Sequence, residues 1–254
     1  MISRPPSLLA TALGAALLLG GCDGLDGIAA SAETAETAAQ CFVPPDLAVA
    51  TTATPPDRTP DAPATGHVLA MSWSPEFCRF RSDQPQHRGQ CQDNRFGLIV
   101  HGLWPQAGRG PHPRACALAQ PVPAPVLTAH YCMIPSAALM QHEWAAHGTC
   151  AWQEPDAYFA DAAELWDRYR RPDLFRLSRQ DGLSAGDVRS AFSRANPNVA
   201  DAAIGLKINA RGWLEEVYLC LDLDYAPRRC NAREAGPSAA SGAGDKRRGA
   251  QRAP

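Results

Sequence analysis

Apolar positions along the chain fall into a few short runs of different period. His67 to Trp73 (HVLAMSW) is apolar with partial alternation, and Arg95 to His101 (RFGLIVH) is a compact apolar run between turn residues. Both predict strands, the second ending on a histidine. From Pro155 to Arg170, Tyr158, Ala162, Leu165, Trp166 and Tyr169 recur at helical spacing, and Pro172 closes the segment. That shared face reads as core rather than as a cofactor site. Ser184-Ala185-Gly186-Asp187 is a capping-box start for a helix carrying Val188, Ala191 and Phe192 and ending before Pro197. Ile204 to Ile208 and Glu216 to Leu223 predict two more strands, the second alternating Val217, Leu219 and Leu221, with a turn at Ala210-Arg211-Gly212. The order strand, strand, helices, strand, strand predicts an α+β domain in which helices pack on an antiparallel β-sheet.

Outside residues 66–231 the periodicity fails. Arg4 precedes an apolar run from Leu8 to Leu19 that is too short to span a bilayer and is flanked as a signal peptide is, so residues 1–21 are expected to be removed. Leu19-Gly20-Gly21-Cys22 resembles the lipobox of bacterial lipoproteins, which implies cleavage before Cys22 and lipidation of its sulfur. The expected product is exported and either periplasmic or anchored to a membrane by its lipid. The alternative is an ordinary secretory signal cut near Ala29-Ala30. Residues 22–65 are rich in Ala, Thr and Pro and read as a flexible tether, with Cys41 the one sign of attachment; residues 232–254 read as a disordered basic tail.

With 254 residues, 45% of them hydrophobic and 20% charged, the chain has ample material for a core, which excludes wholesale disorder. The formal net charge is −2, and residues 66–231 balance 17 basic against 17 acidic groups. No bulk basic field grips a polyanion, so an acidic ligand must be held locally. Setting Cys22 aside leaves eight cysteines: Cys41, Cys78, Cys91, Cys116, Cys132, Cys150, Cys220 and Cys230. An even set in an exported chain implies a disulfide framework, with roughly 105 possible connectivities. No CxxC pair occurs, which argues against a structural zinc site.

Two segments concentrate chemistry: LIVHGLWPQ (Leu98 to Gln106) and QHEWAAHGTC (Gln141 to Cys150). The second is HExxxH, not the HExxH of zinc hydrolases. On a helix His142 and His147 stand ~140° apart, whereas Glu143 and His147 stand ~40° apart. Carboxylate and imidazole therefore share a face, with His142 on its shoulder and Gly148 stopping the helix, an arrangement suited to proton transfer more than to metal ligation. His101 adds a second imidazole. Two imidazoles and a carboxylate can drive an in-line displacement in which the substrate supplies the nucleophile, as the 2′-OH of RNA does, with no metal and no cofactor.

These segments resemble the two signature blocks of the ribonuclease T2 family of secreted, metal-independent endoribonucleases. The first matches an aliphatic lead into HGLWP at every position. The second matches HEWxKHGTC except at Ala146, where the family usually has Lys. SWSPEFC (Ser72 to Cys78) and VYLCLD, near the last strand, extend the resemblance over residues 66–231. It implies a disulfide-stabilised T2-like fold acting as a monomer on single-stranded RNA through a 2′,3′-cyclic phosphate. It also implies His147 as general base, His101 as general acid, Glu143 as transition-state support, His142 as a phosphate contact and Trp104 as a wall for a base. The family pairing of the HGTC cysteine implies Cys116–Cys150; Cys78 with Cys91 and Cys220 with Cys230 are local candidates, which leaves Cys41 with Cys132. The missing cation at 146 leaves two expectations open. Either an arginine from elsewhere, such as Arg109 or Arg95, replaces it, or the chain is a catalytically weakened RNA-binding relative.

Overall fold

The computed structural model describes residues 41–47, 55 and 57–238; the expected signal peptide and Cys22 lie outside them. In chain order the elements are β1 (Gly66–Trp73), α1 (Ser74–Cys78), α2 (Arg88–Cys91), β2 (Leu98–Gln106), α3 (Ala124–His130), α4 (Ala137–Ala146), α5 (Pro155–Arg168), α6 (Leu174–Leu177), α7 (Ala185–Ala195), β3 (Ile204–Ile208), β4 (Leu214–Leu221) and α8 (Ala232–Ala235). The four strands form one antiparallel sheet in the order β2-β1-β4-β3. The architecture is α+β.

Strand alternation sorts the sheet into two faces. Leu69, Met71 and Trp73 of β1, Val100 and Leu103 of β2, and Val217, Leu219 and Leu221 of β4 join the helices in the main core, around the fully buried Tyr158 and Phe159 of α5. The other face carries Val68 and Ala70, with Trp104 and Tyr218 packed on them. Burial of the helices' apolar faces fixes them where the sequence periodicity put them. α7 starts at the expected capping box, Ser184 and Asp187 satisfying each other's backbone N–H groups.

β2 departs from the expected strand. The expected strand, Arg95 to His101, is displaced: Gly97 instead accepts a bond from Ser74 N, and the strand runs from Leu98 through Gln106. Gly102 and Pro105 argue against a strand in sequence, but β2 is an edge strand, where a residue without an N–H is tolerated. His101 therefore lies mid-strand, at a β-bulge. Ala70 faces Gly102 and Met71 faces Val100, which leaves His101 as the extra residue. β4 begins at Leu214 and ends at Leu221, because Asp222 Oδ1 accepts from Asp224 N and Ala226 N and turns the chain.

Chain on both sides of residues 66–231 is tied to the domain. Beyond 231, Asn231 and Glu234 cap α8, Glu234 takes a bidentate pair from Arg228, and Arg189 bonds the carbonyls of Ala235 and Pro237. On the N-terminal side Asn94 bonds both backbone groups of Phe42, and Thr59 forms a β-bridge with Arg114. Disulfides join Cys41 to Cys132, Cys78 to Cys91, Cys116 to Cys150 and Cys220 to Cys230.

Candidate active site

The bulge on β2 and the last two turns of α4 bring the two chemical segments together. Glu143, on α4, is 1% exposed and sits between the histidines, with Oε1 3.5 Å from His101 Nε2 and Oε2 4.0 Å from His147 Nε2. Trp104 donates its indole N–H to Glu143 Oε2 at 2.6 Å. Its ring packs on both imidazoles, with centroids 5.2 Å from His101 and 5.4 Å from His147. The carboxylate can come this close to β2 because residue 102 is glycine: a Cβ there would lie 2.1 Å from Glu143 Oε2. His147 caps α4, its N–H still bonded to Glu143 O at 2.9 Å. His142 stands exposed on the shoulder of the helix.

The sequence did not single out Glu216 or Arg114, and both belong here. Glu216 of β4 is buried and lies on the same sheet face as His101, with Oε1 2.7 Å from His101 Nδ1; its other oxygen accepts from Tyr218 OH at 2.5 Å. Arg114 Nη1 lies 2.9 Å from His147 Nε2. Arg95 and Arg109, the arginines considered for this position, are exposed and make no hydrogen bond or ion pair with these groups. Glu216 reads in sequence as an ordinary polar position of an alternating strand, and only the strand order reveals its partner. For Arg114 a signal existed: it stands two residues before Cys116, and a bridge from Cys116 to Cys150 draws it toward His147.

The surroundings push the two imidazoles in opposite directions. Burial works against a charged His101, but the Glu216 hydrogen bond and the Glu143 charge outweigh it and hold His101 above the ordinary histidine value. Burial would likewise raise Glu216, yet its bond to His101 takes it down to about 2. Burial and then the Arg114 charge depress His147 well below the usual range. Arg114 can only donate, so the 2.9 Å contact requires a lone pair on His147 Nε2, the state of a neutral base. A neutral and a protonated imidazole on either side of one carboxylate can take one proton and give another. Beside them a cleft of about 600 Å³ opens past His101, lined among others by Phe77, Phe80, His87, Leu139 and Lys207.

The chain has relatives among known proteins. The profile of the Ribonuclease T2 family matches residues 66–230. A protein of Haemophilus influenzae named probable ribonuclease is 32% identical over 184 residues, covering 68% of this chain and 63% of that protein. A ribonuclease of Aeromonas hydrophila is 35% identical over 164 residues, covering 61% of this chain and 71% of the relative. The match thus spans less than two thirds of the Haemophilus protein. Among solved structures, trichomaglin, described as a novel S-like ribonuclease, superposes with a TM-score of 0.57 at 18% identity, over 69% of this chain and 94% of its own. An RNase-related protein from Calystegia sepium gives 0.56 at 18%, over 69% and 95%. At that identity the likeness establishes a shared fold.

Proposed function

The chain belongs to the ribonuclease T2 family, and from that premise we propose that it is an exported endoribonuclease that cleaves single-stranded RNA without a metal. His147 Nε2 takes the proton of the substrate's 2′-OH; the 2′-oxygen attacks the adjacent phosphorus; the bond from phosphorus to the 5′-oxygen breaks; His101 Nε2 delivers its proton to that oxygen. The products are a 2′,3′-cyclic phosphate and a new 5′-OH end. Glu143 balances the charge that passes from one imidazole to the other. Glu216 accepts from His101 Nδ1–H and stabilises the charged imidazolium, whose other proton sits on Nε2 and is the one delivered. The observation that carries this reading is the pair of imidazoles flanking Glu143, His101 disposed to be charged and His147 disposed to be neutral. His142, at the rim, is assigned to phosphate contact and Trp104 to one wall of a base site.

Cleavage of single-stranded RNA in EDTA, with the matching DNA beside it, tests the proposal. The expected result is RNA cut to fragments ending in 2′,3′-cyclic phosphate and DNA left intact. Equal cutting of DNA, or loss of RNA cleavage in EDTA, overturns the mechanism. RNA bound but cut no faster than by His147→Ala makes the chain a binding relative instead. Export and lipidation at Cys22 are part of the same proposal and rest on residues 1–22.

A further inference from the structure

We propose that Arg114 is a catalytic residue of this chain, the cation that grips the scissile phosphate and meets the charge growing on it, and that Asp57 and Thr59 are its positioning residues. The inference rests on the ribonuclease reading above. Asp57 and Thr59 both precede the matched domain, which starts at residue 66.

Four observations bear on Arg114. Its side chain is 24% exposed, its Nη1 lies 2.9 Å from His147 Nε2, and its Nε lies 2.9 Å from Asp57 Oδ2. Its backbone is clamped on both sides by Thr59, through Thr59 N to Arg114 O at 2.9 Å and Arg114 N to Thr59 O at 3.3 Å, while Thr59 Oγ1 bonds His112 O. The next residue, Ala115, is fully buried in the left-handed region at φ 50°, costly for any residue with a Cβ. The strained turn is held by Ala115 N to Ala146 O at 2.8 Å, by Arg58 Nε to Ala115 O at 3.0 Å, and by the Cys116–Cys150 bridge one residue on.

The turn thus packs on the end of α4 at Ala146, itself 0% exposed, and sets a guanidinium against the base. Without an anion this placement opposes the reaction, because a cation beside His147 disfavours the proton the base must accept. An arriving phosphate reverses the balance. Its negative charge offsets Arg114 and draws the guanidinium's donors, and Nη2 makes no hydrogen bond among the described residues. A planar fork already ion-paired with Asp57 and held by its clamped backbone costs little to reorganise as the phosphorane forms.

The test uses the full chain. Arg114→Ala is expected to lower kcat on single-stranded RNA by about 10²–10³-fold, with the thermal melt retained. Arg114→Lys should recover roughly tenfold of that loss, since it restores charge without the fork. Asp57→Ala should lower kcat by about three- to tenfold with KM nearly unchanged, a split that a purely structural role would not produce. Inorganic phosphate, titrated against the histidine ring resonances, should bind about tenfold more weakly to Arg114→Ala. If Arg114→Ala does not fold, Arg114→Gln carries the same expectations. A kcat within about threefold of wild type for a folded Arg114 variant overturns the catalytic role, and an unchanged Asp57→Ala removes the positioning role. Should the wild-type protein fail to cleave RNA, the ribonuclease reading falls separately. The phosphate titration then decides for Arg114: tenfold weaker binding supports the cation, equal binding overturns it.

Discussion

Glu216 Oε1 on β4 lies 2.7 Å from His101 Nδ1 on β2, although β1 runs between the two strands. His101 follows the inward-facing Val100 and so turns to the sheet face on which Glu216 points, and the bulge lets Gly102 share that face before Leu103 returns to the core. Because this pair holds His101 protonated above the ordinary histidine value while His147 stays neutral far below it, activity should form a broad bell in pH. The acid limb, set by His147 gaining a proton, should lie below the ordinary histidine pKa of ~6.5, and the alkaline limb, set by His101 losing one, above it. Glu216→Gln keeps the shape but removes the charge, so only the alkaline limb should move to lower pH. A profile of kcat/KM from pH 4 to 9 for both proteins checks this; an unmoved alkaline limb would show that Glu216 does not support the acid.

Alanine at His101 or His147 should each cost about 10²–10⁴-fold in kcat, the ordinary worth of a positioned acid or base. His142→Ala should cost far less, because His142 is exposed on the shoulder of α4. Turnover of the three folded variants on one RNA separates these roles. Near wild-type activity for His147→Ala would displace it as the base.

Gly102→Ala places a Cβ 2.1 Å from Glu143 Oε2 and 2.6 Å from Trp104 Nε1. Neither group can yield easily, since Glu143 is fully packed and bonded to Trp104. Overpacking of this kind costs about 1–3 kcal/mol. The variant should melt lower and lose most of its turnover, because the displaced carboxylate is the one between the histidines. Denaturant curves and rates on the same preparation test both effects.

Ala146→Lys should lower stability and leave the rate no higher. Ala146 is fully buried beneath Ala115, so an ammonium there must displace the turn that carries Arg114. A faster enzyme with Lys at 146 would mean that the site lacks a cation despite Arg114.

Cys22→Ser should move the protein from the membrane fraction to the soluble exported fraction. Fractionation of expressing cells reads this directly, and unchanged partitioning would argue against a lipid on that residue.

What could be read in the sequence was local. The α5 periodicity, the Ser184 capping box and the alternation of Val217, Leu219 and Leu221 each specify an element from its own residues, and each element stands within about two residues of where it was expected. β2 was displaced because its C-terminal half, with Gly102 and Pro105, is allowed only at a sheet edge, and strand order is not a local property. The same limit hid Glu216, whose significance depends on which strand lies beyond β1. Arg114 depended on more still: a left-handed Ala115, a bridge from Cys116 and a segment that composition marks as loose. Residues 232–238 also read as loose, yet Glu234 and Arg228 tie them to the sheet.

The bulge makes chain length in β2 part of the chemistry. Val100 and Leu103 both face the core although they stand three positions apart, which uninterrupted alternation forbids. Deleting His101 or Gly102 would restore strict alternation with Val100 and Leu103 both still inward, so the core register would survive, while the site would lose either the imidazole or the glycine that makes room for Glu143. A single-codon deletion here therefore damages the chemistry while leaving the alternation of the core intact. Sequences descended from this one that keep its chemistry are therefore expected to keep two residues between these positions.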